Sequence, residues 1–101
     1  MDDEPKRIEV DALPGPVLLE FGTDWCGYCR RAQPLIAEAL AQHPGVRHIK
    51  VSDASGKPLG RSFEVQLWPT LVFLKNGREA ARLVRPSRTE EILRALDAID
   101  A

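Results

Sequence analysis

Cys26 and Cys29 are the only two cysteines of the chain, and both fall within Trp25-Cys26-Gly27-Tyr28-Cys29. A bridge between them would close a ring so short that it hardly restricts the unfolded chain, which argues against a purely structural disulfide. The spacing suits thiol-disulfide exchange, in which a thiolate attacks a disulfide sulfur and a second thiol nearby displaces the product. A lone C-x-x-C also serves as half of a zinc site, but a four-ligand site needs two further donors, and only His43 and His48 remain as histidines. Both histidines are read as surface groups without a role, and no metal is expected.

A working dithiol needs one thiol with a lowered pKa that stays within reach of its target. The flanking sequence supplies the means. Val17-Leu18-Leu19-Glu20-Phe21 is apolar on both faces, as in a central strand covered by helices on each side. From Cys29 to about Gln42, Ala32, Leu35, Ile36, Ala39 and Leu40 recur at helical spacing, with Pro44-Gly45 as the stop. Cys26 then sits at a helix N-terminus, where unpaired N–H groups and the helix dipole favour a thiolate, and Cys29 lies one turn inside. Cys26 is the expected nucleophile and Cys29 the resolving thiol. Arg30 and Arg31 either add positive potential or are ordinary solvated residues. Pro34 falls inside the helical run and is expected to bend it.

The remaining pattern gives Val46 to Val51 as a strand, Asp53-Ala54-Ser55-Gly56 as a loop, and a short helix near Lys57 to Phe63. Thr70 to Lys75 and Glu79 to Val84 flank Asn76-Gly77, a dipeptide suited to a tight hairpin. Ser87-Arg88-Thr89-Glu90 has capping-box spacing ahead of a closing helix lined by Ile92, Leu93, Leu96 and Ile99. The predicted order is β-α-β-α-β-β-α, in one domain spanning residues 1–101, with a polar lead over about 1–14 and a core over 15–99.

With 14 basic and 15 acidic side chains in 101 residues, the net charge of −1 gives no reason to expect nucleic acid or anionic membrane as a partner. The acidic start, Met1-Asp2-Asp3-Glu4-Pro5, lacks the basic-then-apolar pattern of a secretory signal, and no apolar run is long enough to span a bilayer. A cytoplasmic monomer is the expectation.

Taken together, the strand running into Trp25-Cys26-Gly27-Tyr28-Cys29, the proline at Pro34, Trp68-Pro69-Thr70 ahead of the Asn76-Gly77 hairpin, and the last amphipathic helix resemble the thioredoxin superfamily from about Gly15 to Ile99. The resemblance implies a three-layer α/β/α fold, with a central mixed sheet, a C-terminal antiparallel hairpin and a closing helix. It implies a cis bond before Pro69, and a partner groove in which the backbone before that proline pairs with the substrate chain, lined by Trp25, Gly27, Tyr28, Trp68, Pro69, Thr70 and Arg85. It also implies that Glu20 and Lys50 manage the proton of Cys29. Glu20 is the one acid in an apolar strand, so it needs a partner or a raised pKa, unless it escapes to the sheet edge. Its pKa is expected to be raised by desolvation.

Three positions depart from the family pattern. Tyr28 replaces the usual proline between the cysteines, giving a Cys-Gly-Tyr-Cys motif that resembles that of some bacterial disulfide isomerases and suggests a less reducing pair. Gly22 stands where a large aromatic residue is common, and Arg85 where a glycine is usual. Arg85 either rejects general substrates, recruits an anionic one, or folds outward. The expected activity is reduction of protein disulfides, with electrons from a reductase or thiol and no bound cofactor. An exported oxidant or isomerase is a variant of the same chemistry, and a binding or assembly module with a regulatory dithiol is the alternative from a different class.

Overall fold

The computed structural model describes residues 4–54 and 57–100; Met1 to Asp3 of the expected lead, Ser55 and Gly56 of the expected loop, and Ala101 lie outside the described residues. The elements are α1 (Arg7–Asp11), β1 (Pro16–Gly22), α2 (Gly27–Ala41), β2 (Arg47–Ser52), α3 (Pro58–Ser62), β3 (Thr70–Lys75), β4 (Arg78–Val84) and α4 (Thr89–Ile99). A mixed four-stranded sheet runs in the order β2-β1-β3-β4, with β1 parallel to β2 and antiparallel to β3, and β3 antiparallel to β4. This is the α/β/α architecture of the thioredoxin fold.

The alternation of side chains along β1 divides the core in two. Leu18, with Leu71 and Phe73, packs against Ala32, Ile36 and Ala39 of α2 and Ile92, Leu96 and Ile99 of α4. Val17, Leu19 and Phe21 face Val10 of α1, Leu59 of α3 and Phe63 just after it. A strand with both faces covered explains the unbroken apolar run. Glu20 shares the face of Leu18 and so points toward α2, which is why a carboxylate in this strand meets residues next to the dithiol.

Two details differ from the sequence reading. The polar lead contains a helix, α1, whose Val10 is fully buried. The closing helix is capped one residue later than the Ser87 to Glu90 spacing suggests. The residue before it, Arg88, is extended, so the third helical position is Glu91, whose Oε2 accepts from the Ser87 and Arg88 N–H groups at 3.0 and 3.2 Å. The Asn76-Gly77 turn has φ of 52° and 81°, the left-handed pair a tight hairpin requires. Among the described residues, no helix is long and apolar enough to cross a membrane.

Candidate active site

Cys26 is the N-cap of α2. Its backbone is extended, so its sulfur turns back over the first helical turn and accepts the Cys29 N–H at 3.2 Å. Burial alone pushes the Cys26 thiol up. The Cys29 thiol, the Cys29 and Tyr28 N–H groups and the Arg85 guanidinium outweigh it, and hold Cys26 below the ordinary thiol value. Cys29 lies one turn inside and is pushed the other way, to about 11, first by burial and then by its contact with Cys26; a Thr23 N–H opposes this, and the charges of Cys26 and Glu20 add to it. Neighbours of the same residue type are thus driven apart, one toward thiolate and one toward thiol. The cation acting on Cys26 is Arg85. Arg30 donates to the Asp24 carbonyl at 3.2 Å, and Arg31 lies over the Tyr28 ring at 5.0 Å.

The Trp68-Pro69 bond is cis, and Trp68 O lies 3.9 Å from Cys26 Sγ. Trp68 is held from two sides, by its indole N–H to Asp53 Oδ2 at 2.8 Å and by an edge-on contact with Trp25, ring centroids 5.3 Å apart. Thr70 Oγ1 donates to Leu67 O at 2.6 Å and closes the turn carrying the proline. Trp25 and Tyr28 stand exposed on the rim, and Gly27 beside them offers only backbone. Arg85 does not fold outward. Its N–H bonds Pro69 O at 2.9 Å, its Nε bonds Trp68 O at 2.8 Å, and its guanidinium lies 3.9 Å over the Tyr28 ring.

Behind the dithiol, a cavity of about 370 Å³ is lined by Glu20, Gly22, Thr23, Cys29, Gln33 and Lys50, among others. A Cβ at Gly22 would lie 2.6 Å from Cys29 Sγ, so the thiol occupies the space a side chain at position 22 would claim. Glu20 has two direct partners here. His48 Nε2 contacts Oε1 at 2.7 Å, and Gln33 Nε2 donates to Oε2 at 2.7 Å and to the Cys29 carbonyl at 3.0 Å. Lys50 reaches the group one step removed, through Gln33 Oε1 at 3.0 Å.

These contacts correct two expectations. Burial does push Glu20 up, but bonds from His48 and Gln33, with the charges of His48 and Lys50, bring its carboxyl below the ordinary value. Desolvation therefore does not leave Glu20 protonated, nor does it escape to the sheet edge, being 3% exposed. The histidines are not idle surface groups either: His48 is Glu20's partner, and His43 bridges Asp97 and Asp100 at 2.9 and 2.7 Å. The signal for His48 was its place two residues before Lys50 on β2, which puts both on one face of the strand paired to β1. Gln33 and Asp53 carried no comparable signal.

Residues 5–98 match the family model described as Thioredoxin. Thioredoxin H-type 1 of Nicotiana tabacum is 34% identical over 85 residues, which cover 84% of this chain and 65% of that protein. A thioredoxin of Chlamydia pneumoniae is 39% identical over 71 residues, 69% of each chain. The chain spans less than two thirds of the tobacco protein's length, and 56% and 57% of two further curated thioredoxins. Among solved structures, thioredoxin 2 from Pseudomonas aeruginosa PAO1 in its reduced form is 54% identical, superposes with a TM-score of 0.86, and is matched over 96% of this chain and 90% of that one.

Proposed function

Because the chain belongs to the thioredoxin family, we propose that it is a thiol-disulfide oxidoreductase that reduces protein disulfides through Cys26 and Cys29. The observation that carries the proposal is the Cys26 sulfur at the α2 N-cap, held by the Cys29 N–H at 3.2 Å and lowered in pKa beside a thiol raised to about 11.

Cys26 thiolate attacks one sulfur of the substrate disulfide, that S–S bond breaks, and a substrate thiolate leaves as the mixed disulfide forms. Cys26 is then no longer an anion or a thiol partner, so two of the influences holding Cys29 up disappear together. The second thiol becomes a nucleophile when it is needed. Cys29 gives up its proton toward the cavity, where Glu20, ionised at neutral pH, is the acceptor and Lys50 steadies it through Gln33. The low proton affinity of Glu20 makes it a relay rather than a store. Cys29 attacks Cys26 Sγ, the mixed disulfide breaks, and the second substrate thiolate leaves and takes up a proton. The substrate gains two electrons, and the protein is left with a Cys26–Cys29 disulfide that an external reductase or thiol must reduce.

The partner chain lies along Trp68, Pro69 and Thr70, with Trp25, Gly27, Tyr28 and Arg85 around it, in the manner of strand addition. The working state is a cytoplasmic monomer with no bound cofactor, acting on disulfide-containing proteins and not on nucleic acid or membrane. The test is the reduction potential of the pair in defined thiol-disulfide buffers. A value near or below about −230 mV supports a reductase, and one near about −180 mV or above favours an oxidant or isomerase. Full biological activity in a Cys26→Ser, Cys29→Ser double variant would leave a binding module instead.

A further inference from the structure

Arg85 holds a left-handed backbone, φ 51°, although it is not glycine. Such a conformation costs on the order of 1 kcal/mol for an ordinary residue and persists only where the surroundings fix it. Here three contacts do so: the N–H to Pro69 O, Nε to Trp68 O, and the stacking over Tyr28. The same Trp68 carbonyl faces Cys26 Sγ, so the guanidinium is anchored beside the reactive sulfur. With Nε engaged, the two terminal amino groups of Arg85 stay available, and the residue is exposed. Arg31 lies over the same Tyr28 ring. Neither arginine pairs with a carboxylate among the described residues, although other arginines of the chain do. The neighbouring Arg30 is bonded to the Asp24 backbone carbonyl instead. A chain with a net charge of −1 thus presents over the Tyr28 ring two guanidinium groups that, among the described residues, have no carboxylate partner.

We propose that Arg85 and Arg31 select the substrate: the preferred partners carry Asp or Glu beside the cysteine that Cys26 attacks. The proposal rests on the exchange reading above and adds the class of substrate. A partner strand laid along Trp68 and Pro69 brings the residues flanking its cysteine over Tyr28, where a carboxylate meets the Arg85 fork as a charge-assisted, bidentate pair. Lysine or arginine at the same place meets like charge in a partly desolvated setting. The Trp68 carbonyl retains a second lone pair, so the Arg85 bond does not abolish backbone pairing with the partner.

The test uses the reduced protein and two disulfide-bonded peptides identical except for Glu or Lys on either side of the cysteine, with released thiol followed in a single turnover at low salt. Wild type is expected to reduce the acidic peptide at least about fivefold faster, the equivalent of one exposed charge pair. The preference should fall toward unity in 1 M salt, and in an Arg85→Gly, Arg31→Gln double variant. Glycine suits the positive φ at position 85, so the variant keeps the backbone its contacts require, and circular dichroism checks its fold. Losing Arg85's influence on the Cys26 thiolate changes both rates together and leaves their ratio untouched. Equal rates for the two peptides in wild type, or a preference that survives in the variant, would overturn the selection by arginine while leaving the exchange intact. Failure to reduce either peptide would count against the exchange reading itself.

Discussion

Trp68 and Asp53 are joined by an indole N–H to carboxylate bond of 2.8 Å, which fixes the residue whose carbonyl faces Cys26. Asp53 follows β2 and is itself buried, so the position of the Trp68-Pro69 turn depends on a side chain outside the dithiol loop. Asp53→Ala leaves the half-buried indole N–H without its acceptor, a loss of about 1–3 kcal/mol. The expected result is a lower urea midpoint and an altered near-ultraviolet tryptophan signal, with KM for a protein disulfide rising more than kcat falls. An unchanged tryptophan signal would show that the bond does not orient the ring.

His48 holds Glu20 in its ionised form. A carboxylate only accepts, so Nε2 carries the proton in this contact. Replacing His48 with Leu removes a half-buried donor from the buried Glu20 carboxylate and is expected to cost about 1–3 kcal/mol near neutral pH. Because the folded value of Glu20 lies below 4.5, its share of stability is present above the unfolded value and fades as pH falls through the folded one. The gap between wild type and variant in urea titrations should therefore be wide at pH 7 and narrow in acid. A gap independent of pH would assign the loss to packing.

The two thiols should differ sharply in alkylation. At pH 7, Cys29 lies four units below its value of about 11, so its thiolate is on the order of one part in ten thousand. Iodoacetamide followed by mass mapping should label Cys26 and leave Cys29. In Cys26→Ser the thiol contact and the charge of Cys26 are gone, and Cys29 should titrate below 11. A Cys29 titration unmoved by that substitution would remove the basis for its timed activation.

His43 ties the end of α2 to α4 through Asp97 and Asp100. Both ring nitrogens face carboxylate oxygens, so both donate, and the imidazolium is favoured; the Asp100 bond raises its pKa most, burial opposes it, and Asp97 adds to it. A raised folded value contributes stability that is complete below the unfolded value of about 6.5 and is lost as pH rises through the folded one. Wild type should exceed His43→Gln in urea midpoint at pH 5.5, and the difference should shrink by pH 9 and in high salt.

The sequence made the dithiol, the strand before it and the hairpin after it legible because each rests on a local rule: C-x-x-C after an apolar run, helical spacing from Ala32 to Leu40, and Asn-Gly between two strands. What it did not disclose depended on ranking partners across the fold. Lys50 pairs with Glu20 in the strand register, and charge alone makes it the obvious counter-ion, yet the shorter His48 reaches the carboxylate first and Gln33 stands between Lys50 and Glu20. The expected rise in the pKa of Glu20 followed from counting burial without these bonds. α1 leaves no mark in the sequence pattern because a five-residue helix anchored by Val10 offers no periodicity. The capping box slipped by one residue because Glu90 and Glu91 are adjacent, and only the extended backbone of Arg88 decides between them.

The strand order leaves β2 and β4 as the two margins of the sheet. Arg78 and Glu79 stand exposed on β4, as do Arg47 and Lys50 on β2. Charged margins of this kind blunt the tendency of an unpaired strand to recruit another. A second copy pairing antiparallel through β2 with Arg47 opposite Lys50 would set cation against cation, which opposes growth of the sheet in that register. Under the proposed function, backbone pairing with another chain is left to the end of the sheet, where Trp68 meets the dithiol.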